Sequence, residues 1–355
     1  MFSNFLKRNS QIKNLLIITP FYYPHLGGVE KHVFKTCKVF QKKGFALKVI
    51  TQKHDSNLVT QEKISDLDIY RFNFPKIKLF GLFVIWITFL QKYFSLFYQA
   101  DVVHVHDVMI WCLPLRLLFP RKKFVLTIHG WEGIYPIPKK NIWLKNISAK
   151  LANKVICVGA YIGKHYGISC DQTIEGAIDQ ESFSNLSTKK QKFQSVVYLG
   201  RLVSDTGLPL LLEAWKKLSA ADKKNLKLIF IGDGELRTIC KKYGTVLGWL
   251  SENKVREQLE KSSACFASGY LSALEGLAAG CTVLVIAHNQ LKKDYWQMSK
   301  IGDKVQILED SKQVVETLKL AKQFIKNNNF SQNLSWLKQR SWQKTAQLYL
   351  DNYSS

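Results

Sequence analysis

Short, unbroken apolar runs that end in a polar residue or a glycine recur along this chain, separated by stretches of helical length, and this rhythm constrains the fold more than any other feature. Leu15 to Ile18 reads as a buried strand, Gly27-Gly28 as a loop, Val29 to Lys42 as a helix closed by Gly44, and Leu47 to Thr51 as the next strand. Asp101 to His106 and Phe124 to His129 repeat the form, and Lys154 to Val158 reads as the last strand of this half. A polar run over residues 185–194 interrupts the pattern as a linker, and the alternation restarts. Val196 to Leu199, Leu226 to Ile231, Ala264 to Ala267 and Val283 to Ile286 read as strands; Gly207 to Leu218, Gly234 to Tyr243 and Leu271 to Ala279 read as helices, the last capped by Gly280. Continuous β-branched strands between helices belong in parallel sheets covered on both faces. A length of 355 residues suits two such domains. The expected fold is therefore α/β, two Rossmann-like doubly wound domains facing across a cleft. Their spans are 1–185 and 186–333, with a helix over 334–355 crossing back to the first domain. Ligands of such folds bind where the loops at the carboxyl ends of the strands converge.

Composition narrows the class. With 46% hydrophobic and 22% charged residues the chain is globular, not disordered. Its net charge of +24 is uneven: 25 Lys/Arg against 8 Asp/Glu in residues 1–170 give +17, and 26 against 19 in the remainder give +7. Such an excess implies an anionic partner, either an acidic lipid surface or nucleic acid, or else a solubilising field. No groove-reading motif and no basic tract interleaved with aromatics supports nucleic acid. Seven scattered cysteines, none in C-x-x-C spacing, read as reduced core residues of a cytoplasmic protein, with no metal site. No secretory signal is visible. The apolar stretch Leu79 to Leu90 has 12 residues, whereas a bilayer needs about 20. It continues through Tyr93, Phe94, Leu96, Phe97 and Tyr98 with Lys76, Lys78 and Lys92 at its flanks, a pattern open to two readings: a monotopic insertion at the inner face of the cell membrane, or a core helix.

Three loops carry candidate chemistry. At Gly27-Gly28 the missing side chains let backbone amides at a helix start approach an anionic or sugar ligand, although the spacing is not G-x-G-x-x-G. In Tyr198-Leu-Gly-Arg-Leu-Val-Ser-Asp-Thr-Gly, Arg201 follows a strand directly, where a guanidinium can grip a diphosphate through two hydrogen bonds or serve a surface ion pair. Ser268, Gly269, Tyr270 and Leu271 precede a helix, so their amides form a second candidate anion site. Glu275, one turn into that helix amid Leu274, Leu277 and Ala278, suits ribose hydroxyls or an exposed helix face.

These clusters, in this order, resemble the retaining glycosyltransferases of family 4, which have the GT-B architecture. The resemblance covers nearly the whole chain through Pro24, Gly27-Gly28-Val-Glu30, Asp101 to His106, Thr127-Ile-His129, Gly200-Arg201, Gly232-Asp-Gly234, Gly248 and Leu274 to Gly280. It implies Gly28 near the donor phosphates and the acceptor, and His129 near the transferred sugar. It further implies Arg201 on the diphosphate, Glu275 on the donor ribose, Gly248 beside the base, and Gly27, Gly28, His106 and Trp131 on the acceptor side. His129, Arg201 and Glu275 become the catalytic candidates, and Leu334 to Tyr349 the family's terminal helix bracing the first domain. Two positions depart from the pattern: Thr206 stands where the family has the lysine of G-R-x-x-x-x-K-G, and Ala267 where it has the first glutamate of E-x7-E. The segment Ala267 to Glu275 resembles a branch carrying S-G-Y-L. Lys292 and Lys293 are open to two roles, replacement of the lost cation or a solvated face.

The implied reaction moves a hexosyl group from a nucleotide diphosphate sugar to a hydroxyl acceptor, lipid-linked or soluble, with no cofactor and no metal. No Asp-x-Asp lies among the strand-end motifs. Two alternatives share the fold: a catalytically degenerate protein that binds a nucleotide sugar, and a sugar-nucleotide epimerase.

Overall fold

The computed structural model describes residues 12–64, 66–75, 77, 80–130, 133–179, 195–224, 226–320 and 330–354. The linker expected over residues 185–194, and Trp131, lie outside the described residues. The chain divides into two compact units, one of residues 1–132, 136–174 and 342–355, the other of 133–135 and 175–341.

The first unit holds an eight-stranded sheet in the order β3-β4-β2-β1-β5-β6-β7-β8. Its strands are β1 (Asn14–Thr19), β2 (Ala46–Gln52), β3 (Gln61–Ile64), β4 (Leu67–Phe72), β5 (Val102–His106), β6 (Lys123–Ile128), β7 (Lys154–Val158) and β8 (Gln172–Ile174). All neighbours are parallel except β3 and β4. The apolar runs that announced β1, β5 and β6 are buried, as a sheet covered on both faces requires. β7 is not the last strand: Gln172–Ile174 adds β8 beside it, too short and too polar at its start to stand out in the sequence.

The second unit holds six strands in the order β11-β10-β9-β12-β13-β14, all parallel. They are β9 (Ser195–Leu199), β10 (Lys227–Ile231), β11 (Thr245–Gly248), β12 (Ala264–Ala267), β13 (Thr282–Ile286) and β14 (Gln306–Leu308). Separate apolar clusters fill its two faces, one around Leu274, Leu277 and Trp296, the other around Leu208, Trp215 and Phe230.

Three expectations are corrected. The closing segment is two helices, Phe330–Lys338 and Trp342–Ser354, the first in the second unit and the other in the first. The chain between them is extended enough for Ile178 to donate to the Arg340 carbonyl at 3.0 Å. Cys157 and Cys170 are joined as a disulfide with Cα atoms 5.9 Å apart, because the parallel pairing of β7 with β8 brings residue 170 back beside residue 157. The other five cysteines are buried and free. The apolar helix runs on through a π-turn at Phe89–Tyr93 to Gln99, a 19-residue span long and apolar enough by length and composition to cross a membrane. Ile85, Phe89, Tyr93, Leu96 and Phe97 are buried in the unit, while Phe83, Phe94 and Tyr98 face outward.

Candidate active site

In each sheet the strand order reverses direction once, between β1 and β5 in the first unit and between β9 and β12 in the second. Such switch points open a crevice beyond the strands' carboxyl ends, so the loops there are where a ligand is held.

In the first unit the loop after β1 is braced from inside. Phe21 stacks on His25 at 4.5 Å, and His25 Nδ1 lies 2.8 Å from Glu30 Oε1. The buried Arg71 guanidinium donates to the Tyr23 carbonyl at 2.7 Å and pairs with Glu62. The helix Gly28–Lys42 starts at the end of this loop with no side-chain cap. A Cβ at Gly27 would meet Glu30 Oε2 at 2.3 Å, whereas one at Gly28 would meet nothing within 4 Å. Gly27 is therefore small for packing, and Gly28 leaves open backbone.

Across the switch point, β5 and β6 carry a row of histidines. Side chains two apart on a strand share a face, so His104 and His106 lie together, 4.3 Å between ring centroids. His106 Nδ1 lies 3.0 Å from His129 Nε2, and the His129 amide donates to Asp107 Oδ1 at 3.1 Å. Asp107 sits at φ 66°, a conformation costly for a non-glycine residue, and Lys145 Nζ donates to the same Oδ1 at 2.6 Å. Burial works against the Asp107 carboxylate, but Lys145 and His129 favour it and hold its pKa below the usual range. Burial also drives the imidazoles of His32, His104, His106 and His129 toward the neutral form, with His104 lowered to about 3. The last helix contributes two partners: Tyr349 Oη is 2.7 Å from His32 Nε2, and Tyr353 Oη is 2.6 Å from His104 Nδ1.

In the second unit the loops after β9, β10 and β11 close on glycines. A Cβ at Gly200 would meet Ser268 Oγ at 1.7 Å, and one at Gly232 would meet the Gly200 carbonyl at 1.9 Å. Gly248 pairs its carbonyl with the Gly232 amide at 2.9 Å. Arg201 follows Gly200, half exposed, and donates to Asp205 Oδ2 at 3.0 Å. Thr206 is buried, accepting from the Tyr198 hydroxyl at 2.7 Å and donating to the Val203 carbonyl at 2.7 Å. The expectation that Thr206 touches a donor is thereby corrected, since its hydroxyl ties the Arg201 loop to the strand instead.

The expected row of open amides at the next helix is corrected too. The Ser268 amide donates to Leu199, that of Gly269 to Ser272 Oγ at 3.1 Å, and that of Tyr270 to the Tyr295 hydroxyl at 2.9 Å. The Tyr270 hydroxyl in turn donates to Glu175 at 2.7 Å, so this side chain is a strut. Glu275 and Leu271 are partly exposed on the helix Tyr270–Ala278. Arg201 and Glu275 thus belong to the segments that follow two neighbouring strands, β9 and β12, in register at Leu199 and Ala267.

The family model for Glycosyltransferase Family 4 matches residues 26–167, and that for Glycosyl transferases group 1 matches residues 179–341. The chain is a glycosyltransferase of the family 4 type. Among curated relatives, this glycosyltransferase is 23% identical to the GPI3 subunit of phosphatidylinositol N-acetylglucosaminyltransferase from Saccharomyces cerevisiae, over 77% of this chain and 67% of the relative. It is 20% identical to the corresponding phosphatidylinositol N-acetylglucosaminyltransferase protein of Homo sapiens, over 64% of this chain and 49% of that protein. Among solved structures it superposes on sucrose-phosphate synthase from Thermosynechococcus elongatus with a TM-score of 0.73 at 14% identity, covering 96% and 99% of the two chains. WaaG, a glycosyltransferase involved in lipopolysaccharide biosynthesis, gives 0.68 at 13% identity, covering 95% and 99%. The fold is GT-B, two Rossmann-like α/β domains with parallel sheets.

Sequence reasoning missed four members of this glycosyltransferase's histidine row, His32, His104, Tyr349 and Tyr353. The alternation in Val102-Val-His-Val-His106 was the available signal for His104; Tyr349 and Tyr353 come from 317 and 249 residues beyond their partners and left none.

Proposed function

We propose that this glycosyltransferase moves a hexosyl group from a nucleotide diphosphate sugar to a hydroxyl acceptor, with retention of configuration, without a metal ion, and at a membrane surface. The observation that carries the reading is the fixed presentation of Arg201 at the switch point of the second sheet, beside the strand that leads into the Glu275 helix. As the glycosidic bond breaks, negative charge grows on the leaving diphosphate, and a guanidinium held there stabilises it most in the transition state. Side-chain cations do the work that a divalent ion does elsewhere. Glu275 accepts from the ribose hydroxyls, and Gly248 borders the base. In the first unit Gly28 offers its amide to the donor phosphates and the acceptor. Neutral His129, oriented by His106 and by Asp107 at its backbone, orients the transferred sugar.

A lipid-linked acceptor fits the outward apolar surface of the first unit. Phe94 and Tyr98 stand within 5.2 and 6.4 Å of Phe119, ring to ring, beside exposed Leu117 and Leu118, and basic residues crowd the neighbouring segments Lys92 and Arg121-Lys122-Lys123. The yeast relative's name, a phosphatidylinositol glycosyltransferase, and WaaG's role in lipopolysaccharide biosynthesis support the same acceptor class. Thermal-shift screening against a panel of nucleotide sugars tests the donor, because a ligand of the native state raises the melting temperature. One nucleotide sugar is expected to stabilise the protein equally with and without EDTA. Stabilisation lost on chelation would remove metal independence, and no stabilisation by any member would remove the donor reading.

A further inference from the structure

The helix Gln290–Gln297 follows β13, next to β12 in the sheet, and its Asn289 cap accepts from the Lys292 amide at 2.9 Å. Lys292 and Lys293 part company there. Lys293 reaches Glu309 at 2.7 Å on the surface, whereas Lys292 is 6% exposed. A buried ammonium in the first turn of a helix opposes both its own hydration and the helix dipole, so the fold gains nothing from it locally. Its surroundings are the loops of the neighbouring strands. Its charge is felt by and acts upon Asp205 and Arg201, it borders His288, and its Nζ stands 5.3 Å from the Tyr295 ring centroid. Tyr295 holds the Tyr270 amide, and Gly207, next to Thr206, packs on Ile286 and His288. The segments after β9, β12 and β13 thus meet around this side chain.

Charge and hydrogen bonding there leave room for an anion. Two cations, Arg201 and Lys292, face one carboxylate, Asp205, with His288 driven toward its neutral form first by burial and then by Lys292. The amides of Ser268, Gly269 and Tyr270 are already engaged, so an arriving phosphate must be met mainly by side chains. We propose that Lys292 is the second cationic contact to the diphosphate of the donor, acting with Arg201 from the opposite flank of the β9–β12–β13 edge. This rests on the nucleotide-sugar reading above.

Burial, partly offset by Asp205 and reinforced by Arg201, lowers the Lys292 pKa to about 8. Of the groups facing it, Arg201 stays charged, His288 is already neutral, and burial pushes the Tyr295 hydroxyl far above its usual value. Between about pH 7 and 9 Lys292 alone changes charge in this cluster.

Calorimetric titration with UDP, GDP and the corresponding monophosphates tests the proposal. Wild-type protein is expected to bind one diphosphate more tightly than its monophosphate, and Lys292→Met to shrink that gap by about tenfold, the value of one charge-assisted contact. Lys293→Met is expected to keep it. A lysine that merely braced the fold would lower the melting temperature and leave the gap unchanged, and that result would overturn the proposal alone. If Lys292→Met does not fold, the wild-type gap decides: it is expected to narrow as pH rises from about 7 to 9, and a constant gap would overturn the proposal. Wild-type protein that bound no nucleoside diphosphate would overturn the donor reading together with it.

Discussion

Gly28→Ala separates fold from function at one atom. A Cβ at this position has no neighbour within 4 Å, the residue opens the helix Gly28–Lys42, and no positive φ stands in the way. Alanine there restricts the unfolded chain and favours the helix, which is worth about 0.4 to 1 kcal/mol. For a unit of this size that amounts to a rise of about 1 to 4 °C in melting temperature. The same methyl group crowds any oxygen held by the Gly28 amide. Loss of one hydrogen bond to a charged phosphate costs about 1.5 to 3 kcal/mol, a fall of about ten- to 150-fold in kcat/KM. The assay pairs a thermal melt with steady-state transfer from the nucleotide sugar that the screen identifies. Full kcat/KM in Gly28→Ala would refute ligand approach at this backbone, and a melting temperature lowered by more than about 5 °C would refute the open space on which the reasoning stands. Gly27→Ala supplies the contrast, because its Cβ would press on Glu30 Oε2 at 2.3 Å and disturb the contact with His25.

Arg201→Ala is expected to lower turnover by more than about tenfold, measured under donor saturation, with the melting temperature nearly unchanged because its exposed pair with Asp205 adds little stability. Glu275→Ala is expected to weaken nucleotide binding in calorimetry, and unchanged affinity would reject the ribose role. The buried histidines bind protons only when unfolded, so stability is complete above about pH 6.5 and declines as pH falls below it, toward about 3 for His104. Each of the four contributes up to about 1.4 kcal/mol per pH unit, so urea unfolding at about pH 5.5 and 7.5 is expected to differ by up to about 5 kcal/mol. Phe94→Asp with Tyr98→Asp, both outward-facing, is expected to abolish sedimentation with anionic liposomes while leaving the fold intact, and undiminished binding would remove the surface claim.

Much of the architecture was legible because parallel strands advertise themselves. Nine of the strands coincide with the apolar runs quoted from the sequence, since burial on both faces demands unbroken β-branched residues. The strands that escaped are edge or short elements: β3 reads Gln-Glu-Lys-Ile, partly exposed throughout, and β8 and β14 have three residues each. Arg201, Gly28 and His129 were found because a strand end followed by a loop is a local pattern. Thr206 and the Ser268–Tyr270 amides were assigned to a ligand because nothing local reveals which partner a hydroxyl or an amide takes.

Sequence alone determined two doubly wound domains, the strand ends that carry chemistry, and the two family positions filled by Thr206 and Ala267, because these depend on periodicity and spacing along the chain. Tertiary structure alone decided that Lys292 is buried beside Arg201 while Lys293 is not, that Tyr349 and Tyr353 close a row of neutral histidines, and that Cys157 bonds Cys170. Each of these is a pairing of side chains from different strands and helices. Charge, burial and hydrogen-bond satisfaction at such points are set by what the packing brings alongside, a quantity that no stretch of residues carries within itself.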